Sequence, residues 1–253
     1  MAEVSLSLEQ LTYSDILDFA DQLKKEGKTI NNINRILLAL RYYFTYLQKE
    51  NRLTHNPAAG LKLKGTIRSV PHDLLTKEEL EELYNRYEIK DERTHRNKVM
   101  LGLLIYQALT REELERLRPE HLKLREGKIQ VPQTGRTNGR ILNLEPHQIL
   151  ELQEYLTQIR PKIVTTERLF ASMERKDLKN SLLHLNHALR KLNPKLKNAV
   201  QIRQSVITEW LKEKDLRTVH YMAGHRYVSS AERYQSTSFE DLKEALSKHH
   251  PLG

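Results

Sequence analysis

Apolar residues recur along this chain mostly at helical spacing, and that period predicts most of its elements. Residues 8–26 (LEQLTYSDILDFADQLKKE) set Leu11, Ile16, Phe19 and Leu23 on one helical face, and Gly27 supplies a stop. A stronger helix is predicted from Ile30 to Glu50, with Ile33, Ile36, Leu37, Leu40, Phe44 and Leu47 as its apolar stripe. Its other faces carry Asn34, Arg35, Arg41 and Tyr42, and Asn56-Pro57 closes the run as a helix-ending signal. Residues 60–73 (GLKLKGTIRSVPHD) lose the amphipathic period and gain Gly, Pro and basic side chains, which predicts an interdomain linker at 66–74.

Thr76 opens T-K-E-E, a capping box, and helical patterning continues to about Leu117. Between Lys123 and Leu144 the period changes. KIQVP and ILNL flank QTGRTNGR, as in a β-hairpin with a Gly/Asn turn. From Pro146 the pattern is helical again, with breaks expected near Pro161, Pro194 and Gly224. The reading is mainly α: a small helical domain over 1–65, then a larger, mostly helical domain over 75–253 with one small β-hairpin or sheet.

Composition narrows the class of function. Only 9 Gly and 8 Pro occur in 253 residues, which suits long helices with short connections. No apolar run approaches the roughly 18 residues of a membrane span, and the start (MAEVSLSLEQ) lacks the pattern of a secretory signal. With no cysteine, disulfides and Cys-ligated zinc are excluded; no H-E-x-x-H pattern occurs, and no metal site is expected. A cytoplasmic protein without membrane contact is the expectation. The net charge of +9 points to a polyanionic partner, nucleic acid first. Residues 174–235 hold 13 lysines and arginines against 6 aspartates and glutamates, and residues 1–70 hold 10 against 7, so the charge is concentrated.

Two C-terminal segments carry the candidate chemistry. QIRQSVITEWL (201–211) sets Arg203 among apolar residues, and YMAGHRYVSSAERYQ (221–235) holds Gly224-His225 with Tyr234 nine residues beyond the histidine. Ser229 and Ser230 make an N-cap for a short helix carrying Tyr234. In these motifs, and in the order of all its elements, the chain resembles the tyrosine recombinases (phage integrases). The resemblance implies a helical core-binding domain followed by a catalytic domain, closed as a C-shaped clamp on double-stranded DNA. Tyr234 would then attack a phosphodiester to give a 3′-phosphotyrosyl intermediate, with Arg203 and His225 holding the phosphate.

Chemistry explains these residue types. Cleavage by a side chain needs a nucleophile, stabilisation of the charge in the transition state and a proton for the leaving 5′ oxygen. A phenol with a pKa near 10 is a poor nucleophile unless cations surround the phosphate it attacks. An arginine fork binds two phosphate oxygens at once, which lysine cannot.

The match has gaps. Where the family reads T-G-L-R-x-x-E-L, this chain reads Q-A-L-T-R-E-E-L, with Thr110 in the arginine's place and Arg111 after it. The H-x-x-R box reads V-Q-I-R, so Val200 stands for the usual His or Lys, and Arg136 is the cation nearest the missing hairpin lysine. Arg111 and Arg136 are therefore candidates to complete the catalytic set. Asn34, Arg35, Arg41, Lys62, Lys64, Arg140 and Arg226 are candidate DNA contacts. No cofactor is implied. The resemblance also implies a homo-oligomer on DNA, a dimer or tetramer, assembled through the amphipathic helix of residues 238–246. A catalytically reduced recombinase-fold protein that only binds or shapes DNA is the alternative.

Overall fold

The computed structural model describes residues 8–65, 73–164, 166–170, 178–227, 230 and 234. The chain divides into two compact units, Met1–Ser69 and Val70–Gly253.

In the first unit, α1 (Tyr13–Lys25) starts at a Thr12–Asp15 capping box, and α2 (Ile30–Lys49) is capped by the Thr29 hydroxyl. Ile16, Ala20 and Leu23 of α1 pack with Ile33, Leu37, Phe44 and Leu47 of α2. Phe19, expected in the stripe, is 41 % exposed. The buried row runs i, i+4, i+7 from Ile16, so the i+3 position falls on its flank and the smaller Ala20 takes the inward place.

Asn34 and Arg41 also differ from a free polar face. The Asn34 amide donates to the Leu63 carbonyl at 3.0 Å and accepts the Leu63 N–H at 2.9 Å. Arg41 donates to the carbonyls of Ala58 and Leu61. Asn56 caps its own turn by accepting from Ala58 N–H and donates to the Arg41 carbonyl. These polar groups fasten residues 56–63 along α2, which lets Ala58 and Leu61 join the core. Arg35, Lys62 and Lys64 are exposed.

The second unit starts with α3 (Lys77–Arg86), held by the Thr76–Glu79 capping box. Next, α4 (Glu92–Tyr106) is buried almost all round from His95 to Ile105, as suits a helix at the centre of a bundle. The short α5 (Arg111–Arg116) follows. Strands β1 (Leu122–Lys123), β2 (Lys128–Val131) and β3 (Arg140–Asn143) form an antiparallel sheet in that order. The register pairs Ile129 with Leu142 and Val131 with Arg140.

Helix α6 (Pro146–Glu154) continues as far as Ile163, so the run ends near Pro161 as expected. It runs through a π turn (Tyr155–Ile159) into α7 (Arg160–Ile163). Pro161 lacks the N–H of a regular α-turn, and the π turn just before it widens the helix where its ring enters. Then come α8 (Leu178–Leu192), α9 (Ala199–Glu213) and α10 (Leu216–Ala223). The molecule is mainly α with one small sheet. Among the described residues no helix is long and apolar enough to cross a membrane. The expected amphipathic helix of residues 238–246 lies outside the described residues.

Candidate active site

The site is assembled from the starts and ends of short elements. Helix α9 is capped by Asn198, whose side chain accepts the N–H groups of Val200 and Gln201. The segment entering the unit is tied to this helix. Leu75 N–H donates to the Ser205 hydroxyl, and Lys197 pairs with Asp73. These ties hold Arg203 on the buried face of α9.

The Arg203 guanidinium is fixed by two backbone carbonyls, that of Ala108 and, at 2.6 Å, that of Ala223. Ala108 takes φ +50°, a left-handed conformation uncommon for a residue with a Cβ. It stands where the recombinase motif has glycine, and in this conformation its carbonyl accepts from Arg203. Burial pulls the Arg203 pKa down, while the charge of Glu113 acts the other way. Arg140 lowers it further, and the Tyr234 phenol raises it. All three groups are therefore within electrostatic reach of this guanidinium.

Helix α10 ends at Gly224 with φ +65°, the left-handed C-cap that glycine favours. The reversal turns His225 back toward the sheet. Thr137 bridges to His225, Asn138 N–H donates to the Gly224 carbonyl at 2.9 Å, and the Asn138 amide donates to the His225 carbonyl. The loop after β2 is thus pinned beside His225. A Thr134–Thr137 hydroxyl pair closes the loop, and Arg226 donates to the Thr134 carbonyl at 3.1 Å. The ring of His225 stacks on that of Tyr234, with centroids 6.0 Å apart and planes within 8°. Both residues are buried. Part of the expected Ser229–Ser230 cap lies outside the described residues; Ser230 N–H donates to the Tyr227 carbonyl.

Arg203, His225 and Tyr234 therefore come together. The supplementary cations do not follow the expected pattern. Thr110 is the N-cap of α5, its hydroxyl accepting Glu113 N–H while the Glu113 carboxylate accepts Thr110 N–H. Arg111, one residue on, points away from this network, with its side chain half exposed and paired with Glu115 at 3.3 Å. A step of about 100° around the helix axis separates the two positions, and the guanidinium does not wrap back. Arg136 is exposed in the loop, with its N–H on the Thr134 hydroxyl. Val200 is 63 % exposed and brings no polar side-chain group.

Arg140, read from sequence as a groove contact, lies instead inside the cluster, with no side-chain exposure. It pairs with Glu113, its Nε donates to the Met222 carbonyl at 2.6 Å, and one terminal nitrogen also reaches the Asn138 carbonyl. Burial by itself pushes the Glu113 carboxyl up, but the hydrogen bond and charge of Arg140, with Arg203 beyond, outweigh it and leave the pKa lowered. The sequence held one signal for this position. Arg140, Leu142 and Leu144 share a strand parity, so the arginine lies on the inward face.

The profile of the "Phage integrase family" matches residues 73–241, and that of the "Phage integrase, N-terminal SAM-like domain" matches residues 1–51. The chain is 26 % identical over 261 residues to tyrosine recombinase XerD of Listeria innocua, covering 96 % of this chain and 84 % of that protein. It is 26 % identical over 255 residues to tyrosine recombinase XerC of Oceanobacillus iheyensis, covering 96 % and 82 %. Among solved structures, the XerH site-specific recombinase bound to a palindromic difH substrate superposes with a TM-score of 0.74 at 21 % identity, over 95 % of this chain and 73 % of that one. The first-unit match, the two-thirds of the chain within the catalytic-domain profile and the Arg203–His225–Tyr234 cluster lead to one assignment: this chain belongs to the phage integrase family of tyrosine recombinases.

Proposed function

We propose that the chain is a site-specific recombinase that cuts and rejoins double-stranded DNA through Tyr234. The observation that carries this reading is the meeting of the Arg203 guanidinium, the His225 imidazole and the Tyr234 phenol from three separated stretches of chain. The similarity to tyrosine recombinases, and to the solved XerH site-specific recombinase bound to its difH substrate, supports it.

In the cleavage step Tyr234 Oη bonds to phosphorus, and the bond from phosphorus to the 5′ oxygen breaks. The phenol gives up its proton, and the departing 5′ oxygen takes one. Arg203 holds non-bridging oxygens and offsets the charge that grows on them. His225, stacked on the nucleophile, hydrogen-bonds the same phosphate or relays a proton. The 3′-phosphotyrosyl ester conserves the bond, so attack by another 5′ hydroxyl reverses the step and joins a new strand. In the free chain Tyr234 is buried, so engagement of DNA has to open the site. Exchange between two duplexes breaks four strands, and each chain offers one Tyr234, so several copies act at one site.

The test uses a pool of nicked duplexes with randomised arms, in which cleavage near the nick releases a short fragment that diffuses away. The wild-type chain is expected to form a covalent adduct that survives denaturation, and Tyr234→Phe to form none while still binding the recovered duplex. Salt-sensitive binding without any adduct would support instead the reading of a protein that only shapes DNA.

A further inference from the structure

Beside the helix start where the family motif has its first arginine lies a guanidinium from a different element. Thr110 spends its hydroxyl on the α5 cap and Arg111 faces outward, so neither brings a guanidinium to the site. The Glu113 carboxylate, on the first turn of that same helix, holds the guanidinium of Arg140, which reaches in from β3.

Three observations say what this guanidinium is for. First, its Nη2 is buried and has no hydrogen-bond partner among the described residues, although Nε and Nη1 are both used. A buried donor left unmade is costly, and retaining one suggests an acceptor that arrives later. Second, Arg140 and Arg203 act on one another electrostatically, with Glu113 the carboxylate acting on both. Among the described residues one buried carboxylate acts on these two buried cations, and a phosphate diester would supply a second negative charge. Third, the chain makes room for this side chain. A Cβ on Gly224 would lie 2.4 Å from Arg140 Nη1 and 2.9 Å from its Cζ.

We infer that Arg140 is the second phosphate-binding arginine of the catalytic site: its Nη2 donates to a non-bridging oxygen of the scissile phosphate, opposite Arg203. The role that the family motif places at the start of a helix is performed here from a strand, through the pairing of Arg140 with Glu113. This inference rests on the proposed cleavage reaction and is tested apart from it.

Adduct formation is compared for wild type, Arg140→Ala and Arg140→Lys on the recovered nicked duplex. The scissile linkage is made once as a phosphate and once as a methylphosphonate, in which a methyl group replaces a charged oxygen. On the phosphate, Arg140→Ala is expected to react about 10²–10³-fold more slowly than wild type, with DNA affinity within about threefold. On the methylphosphonate the deficit should shrink to less than about tenfold, because less charge needs an arginine. Arg140→Lys keeps a cation but not the fork, and is expected to stay at least about tenfold slow on the phosphate while also gaining on the methylphosphonate. Reaction of Arg140→Ala within about threefold of wild type on the phosphate overturns the inference. So does an equal deficit on both linkages, the mark of a site merely loosened; if Arg140→Ala fails to fold, the same two criteria apply to Arg140→Lys. A wild-type chain that forms no adduct on any duplex sinks the cleavage reading, and this inference with it.

Discussion

At the residue scale the site depends on a small set of buried charges and the groups that hold them. Glu113 is fully buried and joins the cap of α5 to Arg140. Removing one partner of such a pair leaves the other charge buried and uncompensated. Glu113→Gln is therefore expected to lower unfolding stability by about 3–5 kcal/mol, measured by chemical denaturation. The sign of the pH dependence follows from the carboxyl's lowered folded-state pKa. Its contribution is fully present above the ordinary value of 4.5 and is lost as pH falls through the lower folded value. The stabilities of wild type and Glu113→Gln should converge as the pH is taken below 4.5. A difference that stays constant across that range would show that the pair contributes nothing specific. Arg203, His225 and Tyr234 were legible because their order and spacing resemble the motifs of the tyrosine recombinases. Arg140 was not, because no spacing rule links a strand residue to a helix start, and only the fold shows that Glu113 sits between them.

At the scale of elements, the joints matter more than the helices. Gly224 ends α10, turns His225 toward the loop after β2, and leaves the space that Arg140 fills. Gly224→Ala meets both limits at once, a left-handed φ and an atom 2.4 Å away. The substitution is expected to cost at least about 1–2 kcal/mol in thermal unfolding and to slow adduct formation along with it. Unchanged melting together with unchanged cleavage would contradict the packing described here. Capping boxes at Thr76 and the long stripe of α2 were readable from sequence because they are local patterns. The end of the run near Pro161 was readable too, but the π turn before it was not, since a π turn depends on neighbours that hold the helix in place after its hydrogen-bond ladder is interrupted. Asn34 and Arg41 looked like a solvated face for a similar reason. Their partners, around residues 58–63, lie more than a dozen residues away along the chain.

At the scale of the whole molecule, the net charge of +9 is the expected driver of DNA affinity. The slope of log K against log salt should fall by about 0.9 for each phosphate that the protein no longer neutralises. Replacing the exposed Arg35, Lys62 and Lys64 together by uncharged residues is expected to reduce that slope by about 2–3, with the adduct still forming at low salt. An unchanged slope would remove those three side chains from the DNA interface. Composition and charge pointed to nucleic acid before any residue was assigned, while the pairing of Arg140 with Glu113 emerged only from the folded chain. The central claim concerns one bond, between the oxygen of a particular phenol and a 3′ phosphate. It is tested most directly by digesting the trapped adduct with nuclease and protease and locating the nucleotide by mass spectrometry. The account predicts a 3′-linked nucleotide on Tyr234; a nucleotide on any of the other tyrosines, or on a residue of another type, would contradict it.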